Sequence, residues 1–108
     1  MEKLSMSERS ESNFTLYELR GAFTFYTIDA VRSVLYKKIS RSNVVLDLSQ
    51  VSDIDSAGTG LLLAVFSDAL NAEHILYMLN PSENVLRSLE KTGLFDLLSV
   101  IASVNEAV

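Results

Sequence analysis

Cysteine is absent from this 108-residue sequence. That excludes a disulfide, a thiolate zinc site and a cysteine nucleophile, and a small domain without covalent staples suits a reducing compartment. The cytoplasm is the expected location. Long apolar runs are missing too. The longest strongly apolar stretch, Leu61 to Phe66, falls far short of the roughly 20 residues that span a bilayer, so no membrane insertion is expected. Basic residues are few and scattered, nine Lys and Arg against fourteen Asp and Glu, for a net charge of −5. Such a surface repels phosphate backbones, and nucleic acid is not an expected partner. The opening stretch, Met1 to Asn13, lacks the apolar core of a secretory signal and reads as a flexible tail of residues 1–13, ahead of a single domain at 14–108. No repeat or linker interrupts the rest.

What is present is the balance of one globular domain, 48% hydrophobic and 21% charged. A chain of this size buries about two thirds of its unfolded surface, which supplies one core but leaves no room for a large enclosed active site as well. A binding module without cofactor is favoured over an enzyme.

Phe14, Leu16 and Leu19 mark a segment of strand formers ending at Gly21, and Ala22 to Phe25 add a second short one, which together read as a hairpin or a bent edge strand. From Thr27 the spacing becomes helical through Ile28, Val31, Val34, Leu35 and Ile39, with Lys37 and Lys38 suited to the negative end of the helix dipole. Val44 to Leu48 is a short, nearly continuous apolar strand. A loop is expected from Ser49 to Asp55, then a helix from Ser56 to about Leu70 that is apolar around most of its circumference and therefore packed on more than one side. His74 to Leu79 returns to strand character. Asn80-Pro81 break it, and Ser82 is placed to cap a third helix ending at Thr92-Gly93. A docking turn, a last strand near Ser99 to Ala102 and a final helical turn within Ser103 to Val108 complete the chain. Strands alternating with helices imply a parallel-centred α/β sandwich.

The informative stretch runs from Val51 to Leu63. Asp55 or Ser56 can cap the free N–H groups of a helix beginning there, Ile54 points inward, and Gly58 and Gly60 permit another backbone to come close. The succession of an apolar strand, Asp55-Ser56-Ala57-Gly58, a second glycine at Gly60 and then Leu61-Leu62-Leu63 resembles the STAS domain family, of the anti-sigma factor antagonist type. Gly21, the strand Val44 to Leu48 and the late Thr92-Gly93-Leu94-Phe95 fit the same pattern, so the likeness covers nearly the whole chain.

The resemblance implies a STAS-fold sandwich, a mixed sheet of four to five strands covered by three to four helices. It also implies a regulatory, non-enzymatic role, monomeric when free. In that family the serine after the aspartate is phosphorylated by a serine protein kinase that often doubles as an anti-sigma factor, and a PP2C-type phosphatase removes the phosphate. Ser56 holds that position, with Thr59 second in rank. The partner-binding surface is expected at Asp53, Asp55, Ser56, Ala57, Gly58, Thr59 and Gly60, together with Thr24. Where family members carry Gly-Glu-Leu-Asp near the kinase contact, this chain reads Gly21-Ala22-Phe23-Thr24, which removes two carboxylates and leaves Phe23 and Phe25 to supply apolar surface. The competing implication is an accessory subunit of a transporter ATPase or the core of a larger signalling assembly, with the serine never modified.

Blander explanations stand beside these. Asp55-Ser56 also makes sense as a plain helix cap, and Thr59 as a residue bonded to a preceding carbonyl. Asp53-Ile54-Asp55 matches the start of a calcium loop, but Ala57 and Ala64 stand where ligands are needed, so no metal is expected. Gly58-Thr59-Gly60 lacks the remaining features of a nucleotide loop. A nucleophilic Ser56 would require a base, and the one His74 begins a distant strand. Tyr17, Tyr26, Tyr36 and Tyr77 fit ordinary packing better than a ligand cage.

Overall fold

Strands and helices alternate after the first hairpin, and the strands lie in the sheet in the order in which they occur in the chain. The computed structural model describes residues 3–107. Strands β1 (Leu4–Ser10), β2 (Thr15–Phe23), β3 (Val44–Ile54), β4 (Leu76–Leu79) and β5 (Ser99–Ile101) form one sheet, β1-β2-β3-β4-β5. The first pair is antiparallel and the other three are parallel. Helices α1 (Asp29–Ile39), α2 (Ser56–Ala72) and α3 (Glu83–Thr92) form the successive crossovers.

Parallel crossovers are right-handed in nearly all proteins, so a sheet that advances steadily in one direction receives all its helices on one face. The packing follows this rule. Leu35 of α1, Leu62 of α2 and Leu89 of α3 share one buried cluster with Tyr17, Leu46 and Met78 of the strands. The other face carries a smaller cluster of Leu16, Val45, Tyr77, Leu79 and Ile101, closed by Phe14, Val104 and Ala107 around the last 3-10 turn. The expected mixed sheet with a parallel centre and three helices is present.

Four local expectations need correction. Residues 4–10, assigned to a flexible tail, form the antiparallel edge strand, Leu4 pairing with Gly21 and Ser10 with Thr15. Only Leu4 and Met6 of that strand pack on the core, too few apolar residues to show a period, and its stability comes from ladder bonds along β2. Met1, Glu2 and Val108 lie outside the described residues. The proposed hairpin or bent edge strand is instead the single strand β2, bent by register shifts at Glu18/Arg20 and Gly21/Ala22 and covered on both edges by β1 and β3. Gly21 does not end it. Its φ of +107° and the 1.9 Å that a Cβ would leave to the Lys3 carbonyl oxygen make it the point where β1 comes close.

The expected loop Ser49 to Asp55 is mostly strand, because β3 continues to Ile54 alongside β2 while β4 accompanies it only to Asp47. Paired on one side only, this half exposes Ser49, Gln50, Ser52 and Asp53 and so has the composition of a loop. His74 precedes β4 instead of starting it, and its Nδ1 meets the Ile39 carbonyl.

The extra length of β3 delivers α2 to its place. Gly58, in the first turn of α2, lies against the turn after β2, and a Cβ there would stand 2.3 Å from the Phe23 carbonyl oxygen and 2.8 Å from Ile54 Cγ1. Gly60, two residues on, has open space where its Cβ would be. Gly58→Ala is therefore expected to destabilise the protein by about 1–3 kcal/mol through overpacking. Gly60→Ala is expected to stabilise it by about 0.5–1 kcal/mol, the ordinary gain for alanine in a helix. Urea midpoints of the two variants read the difference, and shifts of the same sign would contradict this account.

Candidate functional site

Asp55 is the residue on which the site is built. Leaving β3 in extended conformation at φ −113°, ψ −173°, it caps α2, its Oδ1 accepting from the Gly58 N–H at 2.9 Å. The other oxygen, Oδ2, accepts from the Phe25 N–H at 3.0 Å. One carboxylate thus ties the turn between β2 and α1 to the mouth of α2. Burial works against its ionisation, but the backbone N–H groups of Phe25 and Gly58, with those of Ala57 and Asp55 itself, outweigh burial and hold the carboxyl below its ordinary value of 3.8.

Ser56 follows as the first residue of α2 and is exposed. Of the two candidate caps it is Asp55 that serves, so the Ser56 hydroxyl has no assigned duty in the helix start. Thr59 differs. It is 8% exposed, and its hydroxyl donates back to the Ser56 carbonyl at 3.0 Å, as a helix-interior threonine does. Gly58 is buried as well, so Gly58 and Thr59 support the site from within. Asp53 and Gly60 are exposed and Ala57 is half-buried. Asp53 Oδ1 accepts from the Ile54 N–H at 2.9 Å.

Across from α2, the turn 24–27 is held by Thr27. Its hydroxyl accepts from the Thr24 N–H at 2.9 Å and donates to the Ala22 carbonyl at 2.6 Å. The Thr24 carbonyl in turn accepts from the N–H groups of Thr27 and Ile28. Thr24 is half-buried in this arrangement. Phe23, expected to supply apolar surface, is fully buried in the core, whereas Phe25 is 67% exposed. Tyr26, expected to pack like the other tyrosines, is 72% exposed, while Tyr17 and Tyr77 are buried. Tyr26 is the residue that sequence reasoning missed. Position within a turn, not helical or strand spacing, decides its exposure, and the adjacent Phe25 was the available signal.

The arrangement presents a hydroxyl at a helix N-terminus beside a carboxylate whose ionised form is favoured by its backbone donors. It does not present a serine–histidine pair. His74 precedes Ile75, which is bonded to Asn43 and Val44 at the start of β3, and Ser56 follows the end of that strand. Eleven residues of strand separate the two ends, a span on the order of 30 Å. Among the described residues no helix is long and apolar enough to cross a membrane.

Asp55→Ala should cost about 0.5–2 kcal/mol at neutral pH through loss of the cap. Because the folded carboxyl titrates below its ordinary value, its contribution is complete above 3.8 and is lost as pH falls through the folded value. Urea midpoints of wild type and variant, measured down a pH series, should therefore converge on the acid side. A gap that stays constant would show that the charge of Asp55 has no part in the cap.

Comparison with known proteins was consistent across sequence and structure. The family model described as "STAS domain" matches residues 6–107. An anti-sigma-B factor antagonist of Staphylococcus aureus is 27% identical over 99 residues, 90% of this chain and 92% of that protein. The crystal structure of an anti-sigma factor antagonist from Mycobacterium paratuberculosis has a TM-score of 0.84 at 17% identity, covering 96% of this chain and 90% of its own. The Bacillus cell fate determinant SpoIIAA in its phosphorylated form has a TM-score of 0.74 at 16% identity, covering 94% and 96%. The unphosphorylated form of SpoIIAA gives the same TM-score, at 17% identity, covering 94% and 92%.

Proposed function

The chain belongs to the STAS domain family, and we propose that it is a non-enzymatic regulator of the anti-sigma factor antagonist type, switched by phosphorylation of Ser56. Unmodified, it binds a cytoplasmic serine kinase that acts as an anti-sigma factor. Phosphorylated, it releases that partner, and a PP2C-type phosphatase restores binding. The observation that carries this reading is the exposed Ser56 hydroxyl at the mouth of α2, relieved of capping by Asp55.

The electrostatics explain how a modification there could act on a partner and leave the fold alone. A phosphate brings a charge of about −1.5 to −2 and wants backbone N–H donors. Helix N-termini usually offer them, but here Asp55 already takes the Gly58 N–H and draws on the rest of the first turn. The phosphate is left in water beside two exposed or half-exposed carboxylates, Asp53 and Asp55. In the free protein that is tolerable. Drying the same dianion against a partner costs several kcal/mol unless new cations meet it at close range. SpoIIAA matches this chain equally in its phosphorylated and unphosphorylated forms, which supports a fold indifferent to phosphate.

Gly60 supports a docking surface at the same place. Nothing within the chain occupies the space over its missing Cβ, and a helical glycine costs about 0.5–1 kcal/mol relative to alanine. A glycine without internal need at an exposed position of α2 suits the close approach of another molecule. Leu63, 42% exposed one turn further on, extends the surface with apolar area.

Ser56→Ala should bind the purified kinase with wild-type affinity and accept no phosphate, while wild type phosphorylated at Ser56 should bind at least about 10- to 100-fold more weakly, a difference of about 1.4–2.8 kcal/mol. Calorimetric titration reads the affinities and mass spectrometry the modified residue. Equal affinity for the phosphorylated and unmodified forms would refute the switch.

A further inference from the structure

We propose that Phe25 and Tyr26 form an aromatic anchor that seats in an apolar pocket with a cationic rim on the protein docking at Ser56, and that this pair selects the partner. The proposal rests on the reading of Ser56 as the centre of a docking surface and names the chemistry of what docks there.

Two consecutive large aromatic side chains stand 67% and 72% exposed on a domain that buries Phe23 completely two residues earlier. Their rings meet edge to face, with centroids 5.4 Å apart and planes at 87°. They cover each other only in part, and no core contact accounts for them. Water is a poor environment for that much apolar area.

The turn that carries them is held at both ends. Thr27 closes it through Ala22 and Thr24, and the Phe25 N–H reaches Asp55, the residue immediately before Ser56. An anchor presented on a fixed turn loses little conformational freedom when it docks, and aromatic residues are the usual centres of binding energy at interfaces. Because the Phe25 bond to Asp55 is made by backbone, the side chain is free for other use.

Charge decides among the possible occupants. No Lys or Arg occurs from Gly21 to Val31 or from Ser42 to Leu86, segments that include both this turn and all of α2. Asp53 and Asp55 flank the hydroxyl, and Asp29, exposed at the start of α1, has Arg32 as its partner at 3.0 Å. A second copy of the chain brought face to face would set these carboxylates against their own kind. An anionic lipid surface would be repelled for the same reason. A protein pocket with Lys or Arg around its edge answers both features, the apolar rings and the acidic surround. The rim cations remain in water, where each contributes little to affinity and mainly guides approach. They do not reach the dry centre at Ser56, so they do not rescue a phosphate there.

The test places the photo-cross-linking residue p-benzoyl-L-phenylalanine at position 26 of the full chain in its own cell, with position 7, exposed on the helix-free side of the sheet, as control. The protein captured only at position 26 is identified by mass spectrometry, purified and titrated against wild type, Tyr26→Phe and the double variant Phe25→Ala/Tyr26→Ala. The expected result is near wild-type affinity for Tyr26→Phe, a loss of at least about tenfold for the double variant, unchanged urea midpoints, and cross-linked partner peptides rich in apolar and basic residues. Double-variant affinity within about twofold of wild type, or capture of a second copy of this chain alone, would overturn the anchor. Loss of binding in the double variant together with indifference to Ser56 phosphorylation would retain the anchor and defeat the switch, so the two failures are separable.

Discussion

The Asp55 carboxylate holds the functional end of this domain together. Its two oxygens accept from two backbone N–H groups from distant parts of the chain, Phe25, thirty residues before Asp55, at 3.0 Å and Gly58, three residues after it, at 2.9 Å. Each bond satisfies a donor that secondary structure leaves free, one in a turn and one in the first turn of a helix. Because the same donors lower the proton affinity of the carboxyl, the bridge is a fixed negative charge at neutral pH. Everything proposed for Ser56 follows from that fixed charge. It relieves the serine of capping, occupies the donors a phosphate would seek, and sets the local sign of the surface.

The two glycines of α2 divide the helix start between fold and function. Gly58 lets the helix approach the Phe23 carbonyl and Ile54, where any side chain would collide. Gly60 faces outward with nothing above it. From sequence the two looked equivalent, each a means of bringing backbones together. In the structure one approach is completed inside the chain and the other is left open, so a partner is the remaining candidate to complete it.

What could be read from the sequence was whatever repeats. The helical spacing of Val31, Leu35 and Ile39, the run Val44 to Leu48 and the cap at Ser82 each leave a local signature, and each is found in the structure. So is the Asp55-Ser56 start of α2, where periodicity and cap coincide. The failures share one cause, since they concern residues whose conformation is set by a neighbour in space. β1 has two packed apolar side chains and exists because β2 offers it an open edge. The second half of β3 looks like a loop because only β2 accompanies it. Phe25 and Tyr26 follow two buried residues, Ala22 and Phe23, and nothing in their spacing announces that the chain turns outward at Thr24. The gross arrangement of the site was legible. The division of its residues between inner support and outer surface needed the tertiary contacts.

That division also bears on the end of β2 and the turn after it, residues 22–28, which contain no carboxylate. Ala22 is 8% exposed and Thr24 is engaged by Thr27 through its backbone, and the side chains that reach solvent beyond them are those of Phe25 and Tyr26. A surface that recruits through carboxylates binds by charge, and charge is also what phosphorylation changes, so recruitment and release draw on the same interaction. Apolar anchoring works differently. Its free energy follows buried area and is little affected by a charge several residues away. On this domain the aromatic pair would set which protein binds, and the hydroxyl at the mouth of α2 would set when. Either property could then change by substitution without disturbing the other, because the bond between them, Phe25 N–H to Asp55, is made by backbone and survives a change of side chain.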